Sequence, residues 1–330
     1  MRFFRKTNID FIGKRRTWYI VSLTVTLAGI LWALVRGVEY GIDFAGGTEV
    51  QLQFQKNVGI EQVRTSLDAG GFRGAEVKYY GKDESGILVR VREGAQGAQA
   101  GSEATRKVMG AIAVGFPDNK AQLLQEQHIG PKIGAELRTK ALLAVFFTCV
   151  VILIYLAFRF RFVYGLGAVI AILHDVLVAF AFAVICNGLV PWLNLEMNST
   201  LLAAFLTIVG FSVNDTVIIF DRIREDQRKY KGQTLKEIMN RAINETLPRT
   251  IITSGTVFLT LLVLFIWGGE VLRGFAFTML IGVITGTYSS IFVASSIAYD
   301  WLERGKGATT IATVVSSRKP ASSKQVPATV

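Results

Sequence analysis

Residues 210–226 read GFSVNDTVIIFDRIRED, and the amide of Asn214 and the carboxylate of Asp215 fall inside an otherwise apolar run. A carboxylate at the centre of a membrane-spanning helix costs about 2.5–3.5 kcal/mol on insertion scales. Its presence therefore calls for a chemical reason. Asp215 precedes Asp221, at the expected boundary, by six residues, about 9 Å along a helix. That is too deep for so short a side chain to reach the interface, so Asp215 is expected to face a polar interior. Thr207 and Ser212 fall near the same helical face, with Asn214 beside it. A carboxylate in such a seam can take up and release a proton, and sodium suits it equally well.

Three further sets bear on the same chemistry. Arg249, Thr253, Thr256 and Thr260 recur at spacings of four, three and four, which predicts one polar stripe on one helix face. Packed against the Asp215 helix, that stripe would line a channel and pair Arg249 with Asp215. The plainer alternatives are that Arg249 is a basic boundary anchor and Asp215 a static lock between two helices. His174 and Asp175 sit near the middle of another apolar run. A histidine titrates near neutral pH and a neighbouring carboxylate shifts it; a helix-locking polar pair is the alternative. With no third ligand they make a poor metal site. Asp221 and Arg222 open DRIRED, either as interfacial charges or as a gate at a cytoplasmic mouth. No GxxxxGK[ST], HExxH or accessible Ser-His-Asp arrangement is present. Hence no enzyme activity, catalytic residue, metal or cofactor is expected. The remaining energy source is the membrane potential: one charge crossing 100 mV releases about 2.3 kcal/mol, a bias of roughly fifty-fold.

The elements that must carry these residues are long apolar runs. Of 330 residues, 51% are hydrophobic and 18% charged, too apolar for an ordinary soluble chain. The net charge of +11 comes from basic residues beside apolar runs, which points to a membrane surface and not to nucleic acid. Six runs suit spanning helices: 17–36, 139–158, 163–187, 198–220, 250–269 and 274–299. The first is too long for a cleaved signal. Basic residues crowd 1–16, the 159–161 turn, the 221–249 loop and the 301–330 tail, whereas 188–197 and 270–273 hold Arg273 alone. The positive-inside rule then puts both termini in the cytoplasm and 37–136 outside. Cys149 and Cys186 lie in apolar runs and read as packing residues. Thr278, Gly282, Thr285, Gly286 and Ser289 form a small-residue face on the sixth run, suited to close helix packing.

The segment 37–136 reads as a domain. EVQLQF (49–54), AEVKYY (75–80), GILVRVRE (86–93) and AQLLQEQHIG (121–130) read as strands, and 60–71 and 104–116 as helices. The order β-α-β-β-α-β is ferredoxin-like. The fold expected is thus an α-helical membrane protein of six spans, with a ferredoxin-like α+β extracytoplasmic domain inserted between helices 1 and 2. GAQGAQAGSEA (94–104) reads as a mobile loop and 305–330 as disordered. His128 reads as structural. In GIDFAGGT (41–48), Gly41, Gly46 and Gly47 let the chain turn sharply from span into sheet, and Asp43 and Thr48 cap or brace that turn.

GIDFAGGT, HIGPKIGAEL (128–137), LHDVL (173–177), SVNDTVIIFDRIRE (212–225) and LPRTIITSGT (247–256) resemble, in order, motifs of the SecD/SecF family. The resemblance covers roughly residues 10–300. Six spans with one small outer domain resemble the SecF branch more than the larger SecD. The resemblance implies an accessory subunit of the Sec translocase in the bacterial inner membrane. Its implied partners are SecD, the SecYEG channel, YajC, membrane lipid and unfolded secretory polypeptides, with the proton gradient driving export. In that reading, protonation of Asp215 breaks a pairing near Arg249, spans four and five repack, and the shift turns the outer domain through spans one and two. The alternatives are half of a proton-coupled small-molecule exporter of the resistance-nodulation-division type, and a non-titrating scaffold of the translocase.

Overall fold

The computed structural model describes residues 7–81, 84–91, 100–160, 162–190 and 193–304. Inside a bilayer the backbone has no partner but itself, so long apolar runs become helices. Six helices are long and apolar enough to cross a membrane. They are α1 (Arg15–Arg36, after a 3-10 turn at Ile12–Lys14), α5 (Pro131–Arg159), α6 (Phe162–Leu189), α7 (Ser199–Lys229), α8 (Leu235–Trp267) and α9 (Gly269–Ser289). The sixth continues through a π turn, Ser290–Ala294, into a helix ending at Arg304.

Local chemistry sets the starts. Pro131 occupies the first turn of α5, where its missing N–H costs nothing. Asn198 caps α7 by accepting from the Leu201 N–H, and Thr234 and Glu237 form a capping box on α8. These starts correct two boundaries. The stretch 221–249 is not a loop: α7 runs on to Lys229, α8 begins at Leu235, and Pro248 lies within α8. Likewise α5 begins at Pro131 and not near 139.

In the bundle, α7 packs against α6, α8 and α9, while α1 leans on α6. Apolar cores fill the spaces between, with Ile208, Ile219 and Phe220 of α7 fully buried. The small-residue face of α9 meets α7 within the chain. A Cβ on Gly282 would come within 2.2 Å of Ile208.

Between α1 and α5 lie a short helix α2 (Ile42–Ala45), β1 (Gly47–Phe54), α3 (Ile60–Ala69), β2 (Glu76–Tyr79), β3 (Gly86–Val91), α4 (Ala100–Gly115) and β4 (Ala121–Ile129). All strand pairs are antiparallel, in the order β2-β3-β1-β4. One face packs on α3 and α4 through Val50, Leu52, Val63, Leu67, Val89, Val108 and Ile112. The helix α4 starts at Ala100, inside the stretch read as a mobile loop; residues 94–99 and 305–330, the rest of that stretch and the tail, lie outside the described residues. In β3 every residue is buried, so its second face is covered as well. Arg90 on that face stands in register between Glu49 of β1 and Glu76 of β2.

Candidate functional site

Asp175 and Asp215 are carboxylates buried within the apolar part of the bundle, and their surroundings differ. Asp175 on α6 is fully buried. Its Oδ2 accepts from Ser212 of α7 (2.6 Å) and Ser289 of α9 (2.7 Å), and its Oδ1 lies 3.0 Å from Nδ1 of His174. His174 Nε2 lies 2.9 Å from the Tyr288 hydroxyl, itself 3.3 Å from Ser22 of α1. With Nδ1–H donating and Nε2 accepting, every polar atom in this row has a partner. The row ties α1, α6, α7 and α9 together.

Asp215, one turn beyond Ser212, is 1% exposed. Its Oδ2 accepts one hydrogen bond, from Ser254 of α8 at 3.3 Å. Ser254 Oγ in turn lies 2.8 Å from Thr287 Oγ1 of α9. Asp215 Oδ1 has no hydrogen-bond partner among the described residues. Most buried polar atoms are paired, so of these two carboxylates Asp215 is the under-satisfied one; Asp226, buried further along α7, has the Arg222 guanidinium beside it at 3.5 Å. Beside it, Thr216 of α7 meets Ser290 at 2.9 Å, where the π turn of the sixth span begins; such turns concentrate at functional sites.

The end of the bundle away from the sheet carries the third group. Asp221 pairs with Arg159 (2.7 Å), and Arg222 pairs with Glu225 (2.9 Å), Asp226 (3.5 Å) and Glu245. An open cleft of roughly 550 Å³ lies between α7 and α8 there, lined by Asp221, Arg222, Glu245, Thr246 and Arg249.

The structure does not bring every anticipated residue to Asp215. Arg249 is exposed at the cleft, close enough to act on Asp215 through space, yet no ion pair joins them within 4.0 Å. Asn214 and Thr207 face out of the bundle, as do Thr256 and Thr260, while Thr253 is half-buried. The outward threonines are satisfied by their own helices: Thr207 donates to the Ala203 carbonyl, Thr256 to Thr253 and Thr260 to Thr256. The inward face of α8 is Thr246, Thr250 and Ser254, a second polar row at spacing four, rotated about 100° from the first. Periodicity shows both rows and cannot say which one the helix turns inward. Ser212 serves Asp175 and not Asp215.

In the domain-opening motif, Gly46 (φ 75°) and Gly47 (φ 129°) adopt left-handed backbone, and a Cβ on Gly46 would sit 2.7 Å from Pro131 Cα. Gly41 N–H donates to the Met197 carbonyl. Asp43 does more than brace a turn: it accepts from Gln127 of β4 (3.1 Å) and from the Ser199 N–H that starts α7 (2.8 Å). Thr48 and His128 pair at 2.8 Å. Glu39, Glu76 and Glu196 converge closely enough for a metal, but the Lys78 ammonium fills their centre at 2.7, 3.0 and 2.8 Å.

Comparison with known proteins fits this arrangement. Residues 111–304 match the family described as protein export membrane protein SecD/SecF, C-terminal, and residues 32–58 match the SecD/SecF GG motif. The chain belongs to the SecD/SecF family. The protein translocase subunit SecF of Rhodothermus marinus is 39% identical over 95% of this chain and 99% of its own length. That of Gemmatimonas aurantiaca is 40% identical over 92% and 90%. Among solved structures, SecDF of Thermus thermophilus, a translocon-associated membrane protein, aligns with a TM-score of 0.78 at 34% identity, covering 90% of this chain. This chain spans 39% of that longer one. SecDF in a super-membrane-facing form aligns with a TM-score of 0.67 at 33% identity.

Proposed function

We infer that this chain is a SecF-type subunit of the Sec translocase, acting in protein export with a SecD half and using the proton gradient. It is a multi-pass membrane protein. In the proposed orientation it lies in the inner membrane with both termini cytoplasmic and the ferredoxin-like sheet domain outside. The observation that carries the coupling is Asp215, buried with one hydrogen bond and one unpartnered oxygen. Its charged form needs a counter-charge and its neutral form needs none. Arg249, with no ion-pair partner among the described residues at the cleft, is placed to supply one when α8 moves. Asp175 is held by three donors on α6, α7 and α9, so these helices move as one body and α8 shifts against them. Sodium could replace the proton at the same carboxylate.

The SecD half has a natural seat. Asn214 and Thr207 on α7, and Thr256 and Thr260 on α8, are exposed polar groups at membrane depth. The threonines bond their own helices, but the Asn214 amide gains most from a protein or water partner in place of lipid. SecYEG, YajC and the unfolded secretory chain are further partners in this proposal. Replacing Asp215 with Asn keeps the volume and removes the titration. The expected result is normal assembly with proton-dependent export lost. Normal export by that variant, and by Arg249→Ala and Asp175→Asn, would favour a static scaffold.

A further inference from the structure

We propose that Glu196, in the segment between α6 and α7, is a positioning residue that fastens the outer domain to span four, so that the domain follows α7. Glu196 is 2% exposed although it lies outside any helix or strand. Its Oε2 receives Arg90 of β3 at 2.5 Å and its Oε1 receives Lys78 of β2 at 2.8 Å. Both cations come from the sheet, and the carboxylate comes from the chain that enters α7. Arg90 also holds Glu49 (2.9 Å) and Glu76 (3.1 Å), and Lys78 holds Glu39 and Glu76. Four carboxylates and two cations therefore form one network. This explains why β3 is buried on both faces.

The fastening is close to the helix start. Glu196 precedes the α7 cap, Asn198, by two residues, and Ser199 donates its N–H to Asp43. Met197 pairs through its backbone with Glu39 and Gly41. From Ser199 to Asp215 runs unbroken helix, sixteen residues or about 24 Å. A helix transmits displacement along its axis, so a shift at Asp215 reaches Glu196 directly. Spans one and two are joined to the domain through Gly37 and Gly130; the span-one linker adds Glu39, an exposed carboxylate shared between Lys78 and Asn187 of α6, whereas Glu196 is buried and holds both cations. Burial works against the charges of Lys78 and Arg90, but Glu196 and its neighbours outweigh it and hold both above their ordinary ranges. Both cations of the fastening thus stay charged across neutral pH.

The consequence for export rests on the function proposed above, but the docking itself does not. The test uses the full chain assembled with its SecD half in lipid nanodiscs. Spin labels go on α3 of the outer domain and on the exposed Val271 at the start of α9. The wild-type distance distribution should be narrow. Glu196→Ala should broaden it markedly, and export should fall several-fold with SecD pairing intact. Exchanging the charges in Glu196→Arg with Arg90→Glu should narrow it again relative to either single change. If Glu196→Ala does not accumulate, Lys78→Met removes one of the two bonds and should broaden the distribution less. A distribution as narrow as wild type in whichever of these variants accumulates would overturn the proposal. Failure of the titration reading looks different: Asp215→Asn would export normally while the distances responded to Glu196 as described.

Discussion

Two buried acids, one turn and one helix apart, carry opposite burdens. Asp175 accepts from Ser212, Ser289 and His174, so its removal strands three donors. Each unmade buried bond costs about 1–3 kcal/mol. Asp175→Ala should therefore lower thermal stability in detergent by roughly 3 kcal/mol or more, whereas Asp215→Asn should leave it near wild type. Parallel melting curves check both. Ser254→Ala removes the single hydrogen bond to Asp215 and should displace the pH dependence of export, while Thr253→Ala should not. That contrast also marks what the sequence made visible. A carboxylate in an apolar run announces itself, so Asp175, Asp215 and the histidine beside Asp175 were legible. Ser254 was not, because two polar rows on α8 differ by one position and only tertiary packing chooses between them. Glu196 and Arg90 were invisible for another reason: a charged residue in a loop or on a strand reads as solvated until something is seen to cover it.

At the scale of elements, small residues set how closely the spans approach. A Cβ on Gly29 of α1 would lie 1.9 Å from the Ala181 Cβ and 2.7 Å from its Cα on α6. Backbone cannot yield as a side chain can. Gly29→Ala should cost about 1–3 kcal/mol and loosen α1, read as faster hydrogen exchange in that span. The six spans were recognisable from apolar length, since bilayer thickness fixes what a helix needs. The long extensions of α7 and α8 at the end away from the sheet were not, because polar helices outside the apolar core carry no hydropathy signal. The docking of sheet to bundle has its own pH signature. Lys78 is held above its ordinary value, so its contribution is complete below the unfolded value of about 10.4 and is lost only as pH rises through the higher folded one. The interspin distances should stay constant from about pH 6 to 9, and a change within that interval would point to another group.

For the whole molecule, the proposed seat of the SecD half is the polar face of α7 and α8 that the described residues leave uncovered. Asn214→Trp with Thr256→Trp should reduce recovery of SecD in an affinity pull-down while the chain itself still folds. Equal recovery would place the seat elsewhere. The β-α-β-β-α-β order and the six spans followed from periodicity, but the direct tie between sheet and span four did not, and in the proposal made here it moves the route of coupling from spans one and two to α7. All of this depends on Asp215 changing its protonation inside the assembled complex. Infrared difference spectroscopy of the complex in lipid, titrated across neutral pH, reads carboxyl protonation through the C=O stretch. The account predicts a carboxyl band that titrates in the wild type and is missing from Asp215→Asn; a spectrum identical in the two proteins would contradict it.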